Sequence, residues 1–172
     1  MRKEILLINI GRVDEGDSDW LHQQLPKAFG LPCRLGLLLP HPFYAWNPRR
    51  RQYLADAILD RLDPGDSACA LAIAEMDLYV SGLNFVFGLA QREGRKAIIA
   101  LARLRQTYYR LPEDAALFRQ RVLKEAVHEL GHVFGLQHCE NRRCVMSFSN
   151  SLVDTDFKSD DFCTRCRRQL HP

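Results

Sequence analysis

The stretch His128 to Met146, HELGHVFGLQHCENRRCVM, constrains the fold of this chain more than any other, because it packs three histidines and two cysteines into nineteen positions. His128 and His132 are four residues apart, so on a helix they lie one above the other and can grip one metal ion. Glu129 then lies about 100° round the same helix, on the flank of that edge. A carboxylate there can take a proton from a metal-activated water without being a ligand itself. Gly135 can take the left-handed conformation that ends a helix, and a chain reversed there brings His138 back to the same ion. Imidazole ligands suit zinc, and a catalytic zinc site keeps three protein ligands and one open position. The spacing therefore predicts a helix through His132, a reversal at Gly135 and an irregular loop beyond it.

Cys139 and Cys144 follow the third histidine, and Cys163 and Cys166 form a CxxC pair near the C-terminus. Two paired sets of thiolates match a closed tetrahedral zinc site, structural because no position is left for water. Such a zinc would tether the loop after His138 to the C-terminal segment. The CxxC pair alone also suits a redox motif. Arg142, Arg143, Arg165, Arg167 and Arg168 around the cluster would suit a nucleic-acid-binding zinc ribbon. Cys33 and Cys69 stand apart and read as small buried hydrophobes.

At 172 residues the chain is one domain's length, 1–172, and can bury a core without a partner, so a monomer is expected. A net charge of +3 and a pI near 8.6 are only mildly basic, below the pI of about 9 that marks many nucleic-acid-binding domains. No nucleic-acid partner is called for. The apolar run Ile5 to Ile10 contains Asn9 and is too short for a signal-peptide core. No window reaches the roughly 20 apolar residues of a membrane span. The chain thus reads as cytoplasmic, where clustered cysteines are metal ligands more often than disulfides.

Residues 4–10 (EILLINI) read as a buried strand, and Ser18 as the N-cap of a helix over 19–29 closed by Gly30. Residues 33–39 read as a second strand, and Asn47-Pro48 as the cap of a helix over 48–62 with Tyr53, Leu54, Ala57, Ile58 and Leu62 inward. Arg49, Arg50 and Arg51 would lie in its first turn as a solvated face. Residues 68–74 (ACALAIA) suit a central strand covered on both faces. Residues 84–90 and 96–101 then pair as antiparallel neighbours. A helix opens at Pro112-Glu113-Asp114 and carries Phe118, Val122 and Ala126 on one stripe and Leu123, Val127, Leu130 and Phe134 on the next. The sum is an α/β fold with a mixed, mostly parallel five-stranded sheet.

The pattern HExxHxxGxxHCxxxxCxM with a downstream CxxC resembles the archaemetzincins, a family of metzincin-clan zinc metallopeptidases. Residues 77–79 (DLY) and 84–88 (NFVFG) are similar to that family's segment before the active-site helix, so the likeness spans roughly residues 77 to 166. It implies a metallopeptidase with two zinc ions per chain and a peptide or protein substrate. His128, His132 and His138 would hold the catalytic zinc, Glu129 would be the general base and acid, and Met146 would form the turn beneath the metal. Cys139, Cys144, Cys163 and Cys166 would hold the second zinc. The implied fold is a twisted sheet with an antiparallel edge strand, a backing helix, an active-site helix and a small zinc-tethered C-terminal part (136–172) below the rest (1–135). Phe148 departs from clan members that place a tyrosine two residues after the methionine. A zinc endoribonuclease family shares the histidine spacing but has glycine where this chain has Glu129, and a non-catalytic zinc-stabilised binding module is a further alternative. Glu75 and Asp77 are the acids considered for holding a substrate's free amine.

Overall fold

The run SACALAIA is the centre of the molecule. In the computed structural model, which describes residues 2–172 and the side chains from Lys3 onward, it forms strand β5 (Ser67–Ala74). Its larger side chains Cys69, Leu71 and Ile73 face one layer of the core, and Ala70, Ala72 and Ala74 face the other. That alternation of large and small within a wholly apolar strand is what a sheet buried on both faces requires. Truncating Leu71 to alanine in this environment would cost about 2–5 kcal/mol.

Around it run β1 (Arg2–Ile10), β2 (Cys33–Leu35), β7 (Gly88–Gln91) and β8 (Lys96–Ala100) in the order β2-β1-β5-β8-β7. β7 alone is antiparallel to its neighbour, so the mixed five-stranded sheet with an antiparallel edge is as expected. Three very short strands, β3 (Trp46–Asn47), β4 (Gln52–Leu54) and β6 (Leu78–Tyr79), form a second small sheet. Helices α1 (Glu15–Phe29) and α3 (Ala115–Val133) cover one face of the main sheet, and α2 (Ala55–Asp60) covers the other. Two six-residue helices, α4 (Leu152–Phe157) and α5 (Thr164–Gln169), lie in the C-terminal part. No helix among the described residues is long and apolar enough to cross a membrane.

Four local expectations fail for identifiable reasons. Helix α1 starts four residues before Asp19 because Asp14, not Ser18, is its cap: Asp14 Oδ1 accepts from the Asp17 amide at 3.1 Å. The Ser18 hydroxyl is instead buried and donates to Asn9 Oδ1 at 2.9 Å. Strand β2 stops at Leu35: the Gly36 amide still donates to the Leu7 carbonyl at 2.7 Å, but beyond it the chain meets β1 again only at the Leu39–Ile10 bridge. The helix over 48–62 shrinks to α2. Asn47 does accept from the Arg49 and Arg50 amides, but Arg51 turns left-handed (φ 56°) and closes a hairpin into β4. The arginines therefore sit in a hairpin turn, and Arg50 is not merely solvated: it donates to the Leu83 and Asn84 carbonyls at 2.7 and 3.0 Å. Finally, only the end of the 84–90 segment is a ladder strand; residues 84–87 are held by the Val86–Leu78 bridge, by Arg50 and Gln52 on the Asn84 carbonyl and by the Ala100 amide on the Phe87 carbonyl, and extend along the cleft described next.

Candidate metal centre

Helix α3 begins where Asp114 Oδ1 accepts from the Leu117 amide at 2.9 Å, and its last two turns carry His128 and His132. It ends in a Schellman arrangement. The Leu136 amide donates to the Gly131 carbonyl at 2.9 Å and the Gly135 amide to the His132 carbonyl at 3.0 Å, with Gly135 at φ 95°. The reversal returns His138 so that its ring centroid lies 4.8 Å from that of His132 and 5.3 Å from that of His128. One ring nitrogen of each of the three histidines lies within 4.8 Å of the others.

The protonation of two of these rings follows from their partners. Nδ1 of His128 and of His132 each stand 2.8 Å from a backbone carbonyl, of Val145 and Leu136 respectively. A carbonyl only accepts, so both protons sit on Nδ1 and both Nε2 atoms turn bare lone pairs inward. Those two Nε2 atoms are 3.1 Å apart. Two lone pairs at that distance repel unless a cation lies between them, and tetrahedral zinc with Zn–N near 2.0–2.1 Å separates its nitrogens by about 3.3 Å. Burial holds all three histidines below their usual pKa, His128 most, with the Lys158 cation also lowering each of them. They are neutral at pH 7, as metal ligation requires.

Glu129 is 6% exposed and opens on the same cleft. Burial first, then the neighbouring Glu125 carboxylate, push its pKa up to about 8, with Lys158 opposing; a bound dication would draw it down again. Its place depends on Gly88 of β7, where a Cβ would come 2.6 Å from Glu129 Cγ and Oε1. Beneath the helix, the Met146 sulfur packs on Gly131 so tightly that any side chain there would collide. The Cys139 amide donates to the Met146 carbonyl at 2.9 Å, which fixes the methionine's turn to the loop after His138.

A second cluster lies behind the first. The Sγ atoms of Cys139, Cys144, Cys163 and Cys166 lie within 4.8 Å of one another, with Cys139 and Cys163 at 3.8 Å, and all are free thiols. Four thiolates about 2.3 Å from a tetrahedral zinc stand about 3.8 Å apart, against about 2.05 Å in a disulfide. The Cys166 backbone amide lowers the Cys163 thiol to about 7, while burial raises Cys144 and Cys166. Cys33 and Cys69 are remote and burial pushes both up to about 12, in keeping with inert hydrophobes. Four of the five arginines around the cluster have partners in the fold. Arg142 and Arg143 lie over Phe157 at 4.9 and 4.3 Å, Arg165 donates to Cys139 Sγ at 3.4 Å, and Arg167 donates to the Ala28 carbonyl.

The C-terminal part is clamped to α3 by charges that the sequence pattern does not flag. Lys158, 1% exposed, pairs with Glu125 at 3.0 Å; Arg121 holds Asp156 at 2.6 and 2.7 Å; Lys124 donates to the Thr155 and Asp156 carbonyls. The only hint of these in the sequence is that Arg121, Lys124 and Glu125 interrupt the apolar faces of α3.

The three imidazoles and Glu129 line one wall of a cleft of about 640 Å³ whose other wall is residues 83–90. Phe148 stands in it, 5.1 Å from the His138 ring. Ser149 Oγ, buried in the cleft wall, has no hydrogen-bond partner among the described residues. Glu75 and Asp77 do not line this cleft: Arg105 and Arg103 hold them in ion pairs at 2.9 and 2.6 Å. Neither is free to take a substrate's amine, which corrects that expectation.

Residues 43–172 match the model of peptidase family M54. Over 99% of its length the chain is 42% identical to the archaemetzincin of Methanocaldococcus jannaschii, of which it covers 94%. It is 49% identical to that of Methanopyrus kandleri over 75% of this chain and 71% of the relative. Among solved structures, the archaemetzincin of Archaeoglobus fulgidus complexed with malonate superposes with a TM-score of 0.86 at 37% identity, covering 96% of this chain and 99% of that one. A zinc-dependent peptidase from Methanocorpusculum labreanum gives 0.88 at 30% identity over 97% and 100%. With the whole fold and nearly the whole sequence shared, the chain belongs to peptidase family M54, a family of zinc metallopeptidases.

Proposed function

We propose that the chain hydrolyses peptide bonds in the cleft between α3 and residues 83–90, with His128, His132 and His138 holding a catalytic zinc and Glu129 moving the proton. The observation that carries this reading is the pair of carbonyl-anchored imidazoles whose bare Nε2 atoms converge 3.1 Å apart beside a cleft-lining carboxylate. When bound, zinc supplies the Lewis acidity that polarises a scissile carbonyl and makes water nucleophilic near neutral pH. Glu129, ionised next to that charge, accepts the proton of the attacking water and delivers it to the leaving amine. The substrate lies extended beside β7, the antiparallel edge of the sheet, adding a strand to it.

Cys139, Cys144, Cys163 and Cys166 hold a second, structural zinc, and the chain is a single catalytic domain over 1–172. The second zinc cross-links the loop that follows His138 to α5, so it supports the first site without touching it. The archaemetzincin relatives and the zinc-dependent peptidase of similar fold support the peptidase reading, and the convergence of the four thiols supports the second zinc. The test is zinc content and peptide turnover of the wild type and Glu129→Gln. Zinc retained with turnover abolished is expected; a variant that keeps both its zinc and its turnover would overturn the assignment of Glu129.

A further inference from the structure

Among the described residues that line the cleft, one cation is answered by no carboxylate. Arg92 lines it and is exposed, and among the described residues it forms no ion pair or hydrogen bond through its guanidinium. Its position is built. The residue follows directly on β7 and opens a tight turn in which the Arg95 amide donates to the Arg92 carbonyl at 3.0 Å, with Arg95 left-handed at φ 53°. The guanidinium lies flat against Gly135, where a Cβ would meet Nη2 at 3.1 Å and Cζ at 3.2 Å. Gly135 is the residue on which the chain reverses between His132 and His138, so the cation is seated on the rim of the metal centre itself.

The carboxylates of the cleft complete the argument. Two line it, Glu129 and Glu125. Glu129 is the proton carrier of the proposed reaction, and Glu125 is neutralised by the buried Lys158 at 3.0 Å. Glu93, the neighbour of Arg92 in the chain, is outside the lining, as is Glu140 beyond His138, and Glu75 and Asp77 are paired with arginines elsewhere. Among the described residues, the lining of the cleft therefore offers a substrate no free anion for an amino terminus and one free cation for a carboxylate. Arg92 lies four residues along the edge strand from Gly88, which abuts Glu129. That is about 13 Å at roughly 3.3 Å per residue, and the side chain folds back toward the metal centre.

We infer that Arg92 is a specificity-determining residue that reads a substrate carboxylate two to four residues from the scissile bond, so that the preferred substrates are acidic peptides held internally or by a carboxyl terminus rather than by a free amine. This rests on the peptidase reading of the site. The bare guanidinium, half seated on backbone, suits the two-pronged hydrogen bonding of a carboxylate.

The test uses zinc-loaded Glu129→Gln protein and fluorescently labelled octapeptides of alanine, phenylalanine and leucine. One glutamate is walked along the chain, with glutamine and lysine twins, each made with a free and an amidated C-terminus, and binding is read by anisotropy. One register is expected to bind about fivefold tighter with glutamate than with glutamine, the size of an exposed ion pair. That ratio falls to about one with Arg92→Ala and reverses in favour of lysine with Arg92→Glu. Raising salt from 0.1 to 1 M, which shortens the screening length from about 10 to about 3 Å, should shrink the ratio without any substitution. An advantage that follows the free terminus instead of the side chain identifies the carboxylate as terminal. Equal binding of the three series with no advantage of the free over the amidated terminus, or a preference that survives both Arg92 substitutions, overturns the inference. Turnover of the same peptides by wild type is measured alongside: preference without turnover overturns only the peptidase reading, and turnover without preference only the role of Arg92.

Discussion

Gly88→Ala tests whether the position of Glu129 matters to the reaction, and it does so without altering any residue assigned to a metal. A Cβ at residue 88 would stand 2.6 Å from Glu129 Cγ and Oε1 and 2.8 Å from Cδ, where unstrained carbon contacts are about 3.5–4.0 Å. Something must give by about 1 Å. The Gly88 backbone is tied into the sheet opposite Ile99, whereas Glu129 is a flexible side chain, so the carboxylate swings out of place. A 1 Å misplacement of a reacting group costs about 10²-fold in rate, equivalent to about 2.7 kcal/mol of transition-state stabilisation. Stability should hardly change, because alanine in a strand is favoured over glycine by about 0.5–1 kcal/mol, which offsets part of the clash. The assay is kcat/KM on a quenched-fluorescent peptide, with zinc content and thermal midpoint measured on the same preparation. The expected result is turnover reduced about a hundredfold, with zinc retained and the midpoint within a few degrees. Turnover within twofold of wild type would refute the reasoning, and so would loss of zinc in step with activity.

Glu129→Gln should lose about 10²- to 10⁴-fold in kcat, the range for general acid–base groups, with its metal content unchanged by elemental analysis. Wild type should carry two zinc ions per chain, and Cys163→Ser one, with a lowered thermal midpoint; a single zinc in carefully prepared wild type would count against the four-cysteine site. Lys158→Met should destabilise by about 3–5 kcal/mol in denaturant titration, because it strands the Glu125 carboxylate in the core. The double change with Glu125→Leu should recover most of that loss, and failure to recover would show that the lysine does something other than answer Glu125.

Much of the catalytic half of the site is legible along the chain because it is built from local repeats. The four-residue spacing of His128 and His132 lies within one helical turn, and the Gly135 reversal rests on a backbone torsion that glycine takes easily. The helix over 48–62 misleads for a related reason. Asn47 gives the signal of a helix cap, yet the same side chain also stabilises a hairpin turn, and the partner that decides between them is β6, some thirty residues on. In the edge segment, Val86 and Phe87 look like ladder residues, but β8 ends at Ala100, which reaches only the Phe87 carbonyl, and Val86 turns to Leu78 instead, so both line the cleft.

What the amino-acid sequence determined by itself is chemistry at short range: which imidazoles share a helical edge, where that helix can stop, and which strand is apolar enough to be buried twice over. Its cysteine pairs show that a second cluster is available. Tertiary structure alone decided the rest, because each remaining feature joins residues far apart in the chain. Gly88 makes room for Glu129, Lys158 neutralises Glu125, and Arg92 lies against Gly135. Periodicity carries no information about such pairs, since contacts across 33 to 43 positions depend on how α3 and the loop after it pack against the edge strand and the C-terminal part, which only the folded chain sets.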